Sequence, residues 1–453
     1  MRKKILLTLS LVTMLSLTGC QNEKETTEVS ATPTQELNQT STLQPTATAD
    51  QTSTSTSMES SSESAVTEDS VFTFEQKEDG TIKIIGLKDE SLEMVTIPEE
   101  ISGMVVTEIG TSAFKSSNLT SIEWSNNLMK IGISAFKDCK KLTSIEIPNS
   151  VTEIGISAFE DCINLISIEL PDSVTTISSS AFKNCKKLTN VNIPDGITSI
   201  SNSMFEDCKK LTSIEIPASV THIGENAFSM CINLTSIKIP DSVTSIGNAA
   251  FKSCTNLTSI ELPDSVVKMG SAVFKSCRNL KSIELPASVT RIGDSTFDTC
   301  SNLTSIEIPD SVTTIGSSAF ESCSNLTSIE IPASVTRIGD SVFKSCINLT
   351  SIKIPNSVTT ISEYAFSGCS SLINVELPKN LMSIGYRAFE DCSSLASIEW
   401  PNSLTSIGDY AFENCVNFTT TELPVSVTNI GWFVFQNTKS EGYIDEWEYY
   451  NNN

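Results

Sequence analysis

Fourteen cysteines are the most reactive groups in this 453-residue chain. Thirteen of them, from Cys139 to Cys415, recur at an unbroken step of 23 residues. Such a stack invites disulfides or a metal. Residues one step apart on stacked coils would sit about 4.8 Å apart at Cα, inside disulfide range. In-register side chains point the same way, however, so their Cβ atoms do not close to the roughly 3.8 Å a disulfide needs. No close Cys-x-x-Cys spacing offers a zinc site. The thiols are expected to be buried, reduced and packed as small hydrophobes. If the chain is exported, so many free thiols imply a reducing, anaerobic habitat.

Acid–base chemistry has little to work with. His222 is the only histidine, and its repeat position is held elsewhere by Glu153, Ser245, Lys268, Arg291 and Arg337. That reads as one exposed column of shifting polarity. A glutamate column also recurs, through Glu123, Glu146, Glu169, Glu215, Glu261, Glu284, Glu307, Glu330, Glu376, Glu399 and Glu422. Each unit contributes one member, which makes a ladder and not a pair of carboxyls tuned apart for proton transfer. The expectation is a protein that is not an enzyme, with no cofactor and no metal centre. The ladder is broken only by Asn192, Lys238 and Lys353. Neighbouring carboxylates would repel by a little under ~1 kcal/mol in water at roughly 4.8 Å, so this face must stay solvated or gather cations. A solvated row that discourages aggregation is the plain reading. The functional one is an acidic trough on the concave strand face, with Glu261, Glu284, Glu307 and Glu330 at its centre, for a basic ligand or a divalent cation.

Aromatic residues outside the repeating phenylalanine gather near the C-terminus. Tyr364, Tyr386 and Tyr410 precede Phe366, Phe389 and Phe412, where earlier units carry Ser, Asn or Ala, and Trp400 and Trp432 are expected nearby in register. Exposed rings on neighbouring coils are the usual chemistry of protein or sugar contacts. A closing cap is the alternative, with Trp432, Phe433 and Trp447 sealing the last core layer.

The elements that carry these groups are one unit written repeatedly. In Leu142-Thr-Ser-Ile145-Glu-Ile147-Pro148 the apolar residues alternate with Ser144 and Glu146, giving a strand with one buried and one wet face. Proline ends it, having no N–H for the ladder. Val151 and Ile154 turn a second apolar edge inward, and Ala158-Phe159 fills a third side. Gly155 suits a tight bend, yet Ser178, Ser201 and Ser362 stand at its place elsewhere, so positive φ is not demanded there. Phenylalanine keeps the 23-residue step from Phe136 to Phe435, with Phe114 one residue off and no cysteine after it, which predicts a frayed early coil. Fifteen strand-like segments stacked at about 4.8 Å make a rod roughly 70 Å long. One coil buries none of its apolar surface alone; a stack buries it continuously. Ahead of the repeats, Phe72 and Phe74 alternate up to Glu78-Asp79-Gly80 and lead into Ile82 and Ile84. This is a hairpin signal, placed to cap the first layer.

The N-terminus reads as an address. Arg2, Lys3 and Lys4 precede an apolar run from Ile5 to Leu17, then Leu17-Thr18-Gly19-Cys20. A basic segment, a short apolar stretch and small residues before a cut site make a secretory signal, too short to span a bilayer comfortably. The four residues ending at Cys20 look like the bacterial lipobox, which implies lipidation of Cys20 and cleavage before it. Residues 21–70 hold 22 Ser and Thr and a single base, Lys24. They cannot bury enough surface to offset their ordering entropy, and as a coil would reach on the order of 40 Å. A net charge of −24 argues against nucleic acid and against electrostatic docking on anionic lipid.

The pattern Leu-x-x-Ile-x-Ile-Pro-x-Ser-Val-Thr-x-Ile-Gly-x-x-Ala-Phe-x-x-Cys resembles the BspA-like (Treponema-type) leucine-rich repeats over about residues 88–438. The insertion from Glu99 to Val106 is similar to the way that family begins. Ser125 departs from it, standing where the strand-ending proline belongs. The resemblance implies a leucine-rich-repeat superhelix of about fifteen 23-residue coils with a parallel β-sheet on one face, and a surface protein of adhesion to host matrix, host cells or other bacteria. The resulting organisation is a signal peptide (1–19), a lipidated Cys20 and tether (20–70), a hairpin cap (71–87), repeats (88–438) and a tail (439–453). The expected location is the outer face of a bacterial envelope, held to membrane through the lipid alone, with an extracellular protein or glycan as partner. A structural or self-assembling spacer without a specific ligand is the alternative function.

Overall fold

The computed structural model describes residues 71–440 apart from Thr421. The expected signal peptide, Cys20, the tether and Trp447 lie outside these residues. The chain forms the expected solenoid of about fifteen turns, with β structure and turns and no helix among the described residues. Strands β1 (Phe72–Gln76) and β2 (Ile82–Leu87) form the antiparallel hairpin. At its tip the Asp79 carboxylate accepts the Thr81 N–H at 3.0 Å and hydroxyl at 2.6 Å, and Gly80 supplies φ +83°, a value that suits glycine. After β3 (Met94–Thr96), the insertion folds as a second hairpin, β4 (Glu100–Ile101) against β5 (Met104–Ile109). Ser102 and Gly103 both have positive φ, the two-residue turn that matches strand twist. Strand β2 then pairs in parallel with β5, which joins the cap to the stack.

Each coil has three sides. On the first, Ser144–Glu146 pairs in register with Ser167–Glu169, so serine lies on serine, isoleucine on isoleucine and glutamate on glutamate. In the middle of the rod this side thins to single bridges such as Glu261↔Glu284. The second side, read from sequence only as an apolar edge, is itself a parallel ladder, with Glu153–Ile154 beside Thr176–Ile177 and its equivalents onward to Asn429–Ile430. Proline does more than end the first side. Its carbonyl accepts the valine N–H three residues on, as from Val151 to Pro148 at 3.0 Å, closing the turn between the two ladders.

The third side consists of turns in which residues at positive φ recur. Ser157 and Asp161, at 57° and 62°, are typical. This alternation turns three N–H groups per coil along the rod: Ser157 to Ser179 O, Phe159 to Ala181 O and Asp161 to Lys183 O, at 2.8–3.0 Å. The phenylalanine rings stack from Phe136 to Phe412, centroids 5.1–5.8 Å apart and planes within 3–13°. Offset ring pairs add about 0.5–1.5 kcal/mol each beyond area burial. The early coil is not frayed. Phe114 is buried and its N–H bonds Ala135 O at 2.8 Å, while Ser117 stands near the missing thiol with Oγ 3.3 Å from Cys139 Sγ.

The glycine after the second ladder answers to crowding. A Cβ on Gly155 would lie 2.7 Å from the Gly132 carbonyl carbon and 2.8 Å from Ile133 N. Where serine replaces it, Ser201 Oγ donates to Ile177 O at 2.7 Å and Ser362 Oγ to Ile338 O at 2.8 Å. Those are two of the places where the second ladder is interrupted.

Candidate binding surface

All thirteen repeat cysteines are buried and free. Each Sγ donates to the carbonyl oxygen of the phenylalanine one coil earlier, at 3.0–3.2 Å. That carbonyl also accepts the N–H of its own coil's cysteine, as Phe136 O does from Cys139 at 3.2 Å. Burial pushes Cys277 and Cys369 up to about 12, which suppresses the reactive thiolate. The thiols are therefore structural donors as well as packing volume. Sequence reasoning missed the donor role, since no spacing rule reveals a carbonyl one coil away.

His222 is exposed on the second ladder between Ser199 and Ser245, and its Nδ1 lies 2.6 Å from Thr221 Oγ1. Among the described residues no group of three His, Cys, Asp or Glu is arranged to hold a metal ion.

The glutamates of the acidic column face solvent. Glu261, Glu284 and Glu307, together with Asp241 and Asp264, line a groove of about 740 Å³ whose lining includes Pro263 and Pro286 but no Lys or Arg. Glu330 lies outside that lining and neighbours Lys353, which pairs instead with Glu376 at 2.9 Å.

At the C-terminal coils the structure brings the three tyrosines together and separates the tryptophans. Tyr364 and Tyr386 meet edge to face at 5.3 Å, Tyr386 and Tyr410 at 6.0 Å, and Phe433 stacks on Tyr410 at 5.4 Å. Tyr364, Arg387, Tyr410 and Phe433 share one column at the first positive-φ position of the turn, where earlier coils carry Ser, Asn or Ala. Left-handed backbone costs an L-residue roughly 1–2 kcal/mol, and bulky side chains are uncommon there. Arg387 was not foreseen from sequence; its signal is a long cation in a column of small residues. The guanidinium lies 4.6 Å from the Tyr410 ring centre and 5.3 Å from that of Tyr386. Its Nε donates to Tyr386 Oη at 2.8 Å, and it pairs with Glu390 and Glu413. Lys344 Nζ lies 5.1 Å over Tyr364.

These contacts occupy the tyrosine faces and leave the rings half-buried. The open rings are Trp432, 70% exposed, and Phe433, 54% exposed. Trp400 belongs elsewhere: it sits at the end of the first-side strand segment, packs edge-on against Phe412 and Phe418, and donates from Nε1 to Thr420 Oγ1 at 3.1 Å.

Comparison with known proteins agrees with this architecture. Residues 107–235, 221–350 and 336–445 match the BspA type leucine rich repeat region. Among solved structures, a leucine-rich repeat protein from Bacteroides ovatus is 33% identical, with a TM-score of 0.68 over 81% of this chain and 91% of that one. A leucine rich cell surface protein from Faecalibacterium prausnitzii is 28% identical, with a TM-score of 0.51 over 80% of this chain and 93% of that one. No curated protein sequence matches the chain. The chain belongs to the BspA-type leucine-rich repeat proteins, a surface-protein family whose solenoid is suited to binding other proteins.

Proposed function

We propose that the protein is a non-enzymatic, lipid-anchored surface protein that holds an extracellular protein or glycan through its C-terminal coils. The observation that carries this reading is the ring strip ending in Trp432 and Phe433. Tyr364, Tyr410 and Phe433 stand at left-handed backbone positions without entering the core column, and Phe433 and its neighbour Trp432 remain open to solvent. Rings offer large contact area at low entropic cost. The Arg387 guanidinium ties the Tyr386 and Tyr410 rings to Glu390 and Glu413, which lowers the cost of ordering those rings on contact. The lipid anchor at Cys20 and the tether of residues 21–70 rest on sequence alone and place this end outside the cell. The acidic groove at Glu261, Glu284 and Glu307 is the second candidate, for a basic partner or for divalent cations gathered by the row as a whole.

The test uses soluble residues 71–453 against matrix proteins, whole cells and glycan arrays. Trp432→Ser combined with Phe433→Asn, which keeps the left-handed backbone comfortable, is expected to lower retention at least tenfold without moving the thermal melt. Undiminished retention, with loss instead on charge reversal at Glu284 and Glu307, would move the site to the groove. Retention by no surface would favour the spacer.

A further inference from the structure

The turn that leads from the third side back to the first carries asparagine in register from Asn233 to Asn348. Most of these side chains are bonded into a column. Asn256 Nδ2 donates to Asn233 Oδ1 at 3.2 Å, Asn279 to Asn256 at 3.3 Å, Asn302 to Asn279 at 3.1 Å and Asn325 to Asn302 at 3.2 Å. In the coils of Cys185 and Cys208 the same turn reads Lys186-Lys187 and Lys209-Lys210, so lysine stands where asparagine would join such a column. Consecutive coils lie about 4.8 Å apart, and the two pairs make one cluster of four ammonium groups. Lys209 Nζ lies 3.2 Å and Lys186 Nζ 3.9 Å from the same carboxylate, that of Asp207, which is only 8% exposed. One buried acid thus serves two cations. Lys187 and Lys210 are exposed and pair with no acid among the described residues. The neighbouring Glu206 is taken by Lys183 at 2.9 Å.

The first side has lost acids beside this cluster. The glutamate column is broken at Asn192 and again at the exposed Lys238, which leaves Glu215 alone between them. The exposed first-side residues of the two lysine coils are Thr189, Asn190, Asn192, Thr212, Ser213 and Glu215, five of them hydroxyl or amide side chains. No large apolar side chain is exposed between Ile166 and Met230. Such a surface has no ring for a base to stack on and no apolar anchor of the kind that dominates protein interfaces. It offers cations at one edge and hydrogen-bonding groups across the floor, which suits a polymer of sugar hydroxyls and fixed anions. The net charge of −24 does not forbid this, because charges more than about 8 Å away are largely screened at physiological salt.

We propose that this corner binds an anionic polysaccharide, a polymer bearing sulfate or carboxylate groups, at a site separate from the C-terminal ring strip. The ammonium groups of Lys186, Lys187, Lys209 and Lys210 take its anions, and the hydroxyl and amide side chains of the first side meet its hydroxyls. Asp207 holds two of the four ammonium groups in place before contact, which lowers the ordering cost of binding. Asparagine at position 192 removes the carboxylate that would repel the polymer at this coil.

Binding of the whole chain to immobilised heparin, with hyaluronate as the unsulfated polymer, tests this. The chain should be retained at physiological salt and released as salt rises, since ionic contacts are screened. Lys187→Ser with Lys210→Ser should weaken binding at least tenfold without moving the thermal melt, both side chains being exposed and unpaired. Lys268→Ser with Arg337→Ser removes the same charge from the second ladder and should leave binding unchanged. Asn192→Glu, which restores the residue most other coils carry, should weaken binding several-fold. Trp432→Ser with Phe433→Asn should not affect it, so failure here and failure of the ring strip are told apart. Retention by heparin alone assigns sulfate as the anion, and equal retention by hyaluronate assigns carboxylate. An equal loss in the Lys268 and Arg337 variant would overturn the proposal by showing that only net charge counts. So would retention by neither polymer, or equal binding of polyglutamate or single-stranded DNA, which would make the partner an acidic peptide or a nucleic acid instead.

Discussion

Raising the pH should loosen the rod through its thiols. Eleven of them, Cys162 through Cys392, are held above the ordinary thiol value. Burial is the main cause for ten; for Cys162 the hydrogen bond with Cys139 leads, ahead of burial. A group whose folded pKa is raised contributes stability in full below its unfolded value and loses it as pH climbs toward the folded value. The window therefore opens near 9.0 and runs to about 12 at Cys277. At pH 10 each unfolded thiol gains about 1.4 kcal/mol of ionisation free energy that the folded one cannot. Long repeat arrays open in segments, so a segment holding three thiols should lose about 4 kcal/mol between neutral pH and pH 10. Lysines and tyrosines titrate in the same range, so the control is Cys254→Ala, Cys277→Ala and Cys300→Ala together. This variant is less stable at pH 7.5 because it loses three S–H···O bonds, but its stability should fall less steeply with pH. Urea unfolding followed by circular dichroism at pH 7.5 and 10 compares the two slopes. Parallel slopes would refute the buried-thiol argument, as would native thiols at pH 8 that react with a thiol reagent as fast as the unfolded chain.

Gly155→Ala should destabilise by about 1–3 kcal/mol through overpacking against the neighbouring backbone, whereas Gly196→Ala, whose nearest obstacle is the Thr175 methyl at 3.3 Å, should be near neutral in the same melts. Arg387→Ala should cost about 1–2 kcal/mol by leaving Glu390 and Glu413 without their cation; if Glu413→Gln in that background restores nothing, the clamp is not electrostatic. Cys20→Ser should send the protein into the medium or leave it unprocessed, and unchanged membrane partition would remove the lipid anchor. Tyr364→Ser, Tyr386→Ser and Tyr410→Ser together should weaken ligand retention more than any single change; equal retention would show that Trp432 and Phe433 act alone.

The coil, its number and its core were legible in the sequence because a solenoid is close to one-dimensional. When every contact is with the next copy of the same unit, the 23-residue step of Cys and Phe states which residue lies on which, and Ile145 on Ile168 follows from the letters alone. The hairpin at Asp79-Gly80 was equally local. Tertiary structure decided what depends on direction and approach. Gly155 is required by the distance to Gly132, the thiols donate to a carbonyl one coil back, and the turn side sends three N–H groups of each coil toward the same end. It also divided the aromatic residues, which lie close together in sequence. Tyr364, Tyr386 and Tyr410 turn toward one another and Arg387, Trp400 packs against Phe412, and Trp432 remains in water. A repeat pattern fixes the column in which a residue stands. Which way an unusual side chain turns within that column depends on neighbours in adjacent coils, and the physical reason is that the pattern specifies only the shared contacts.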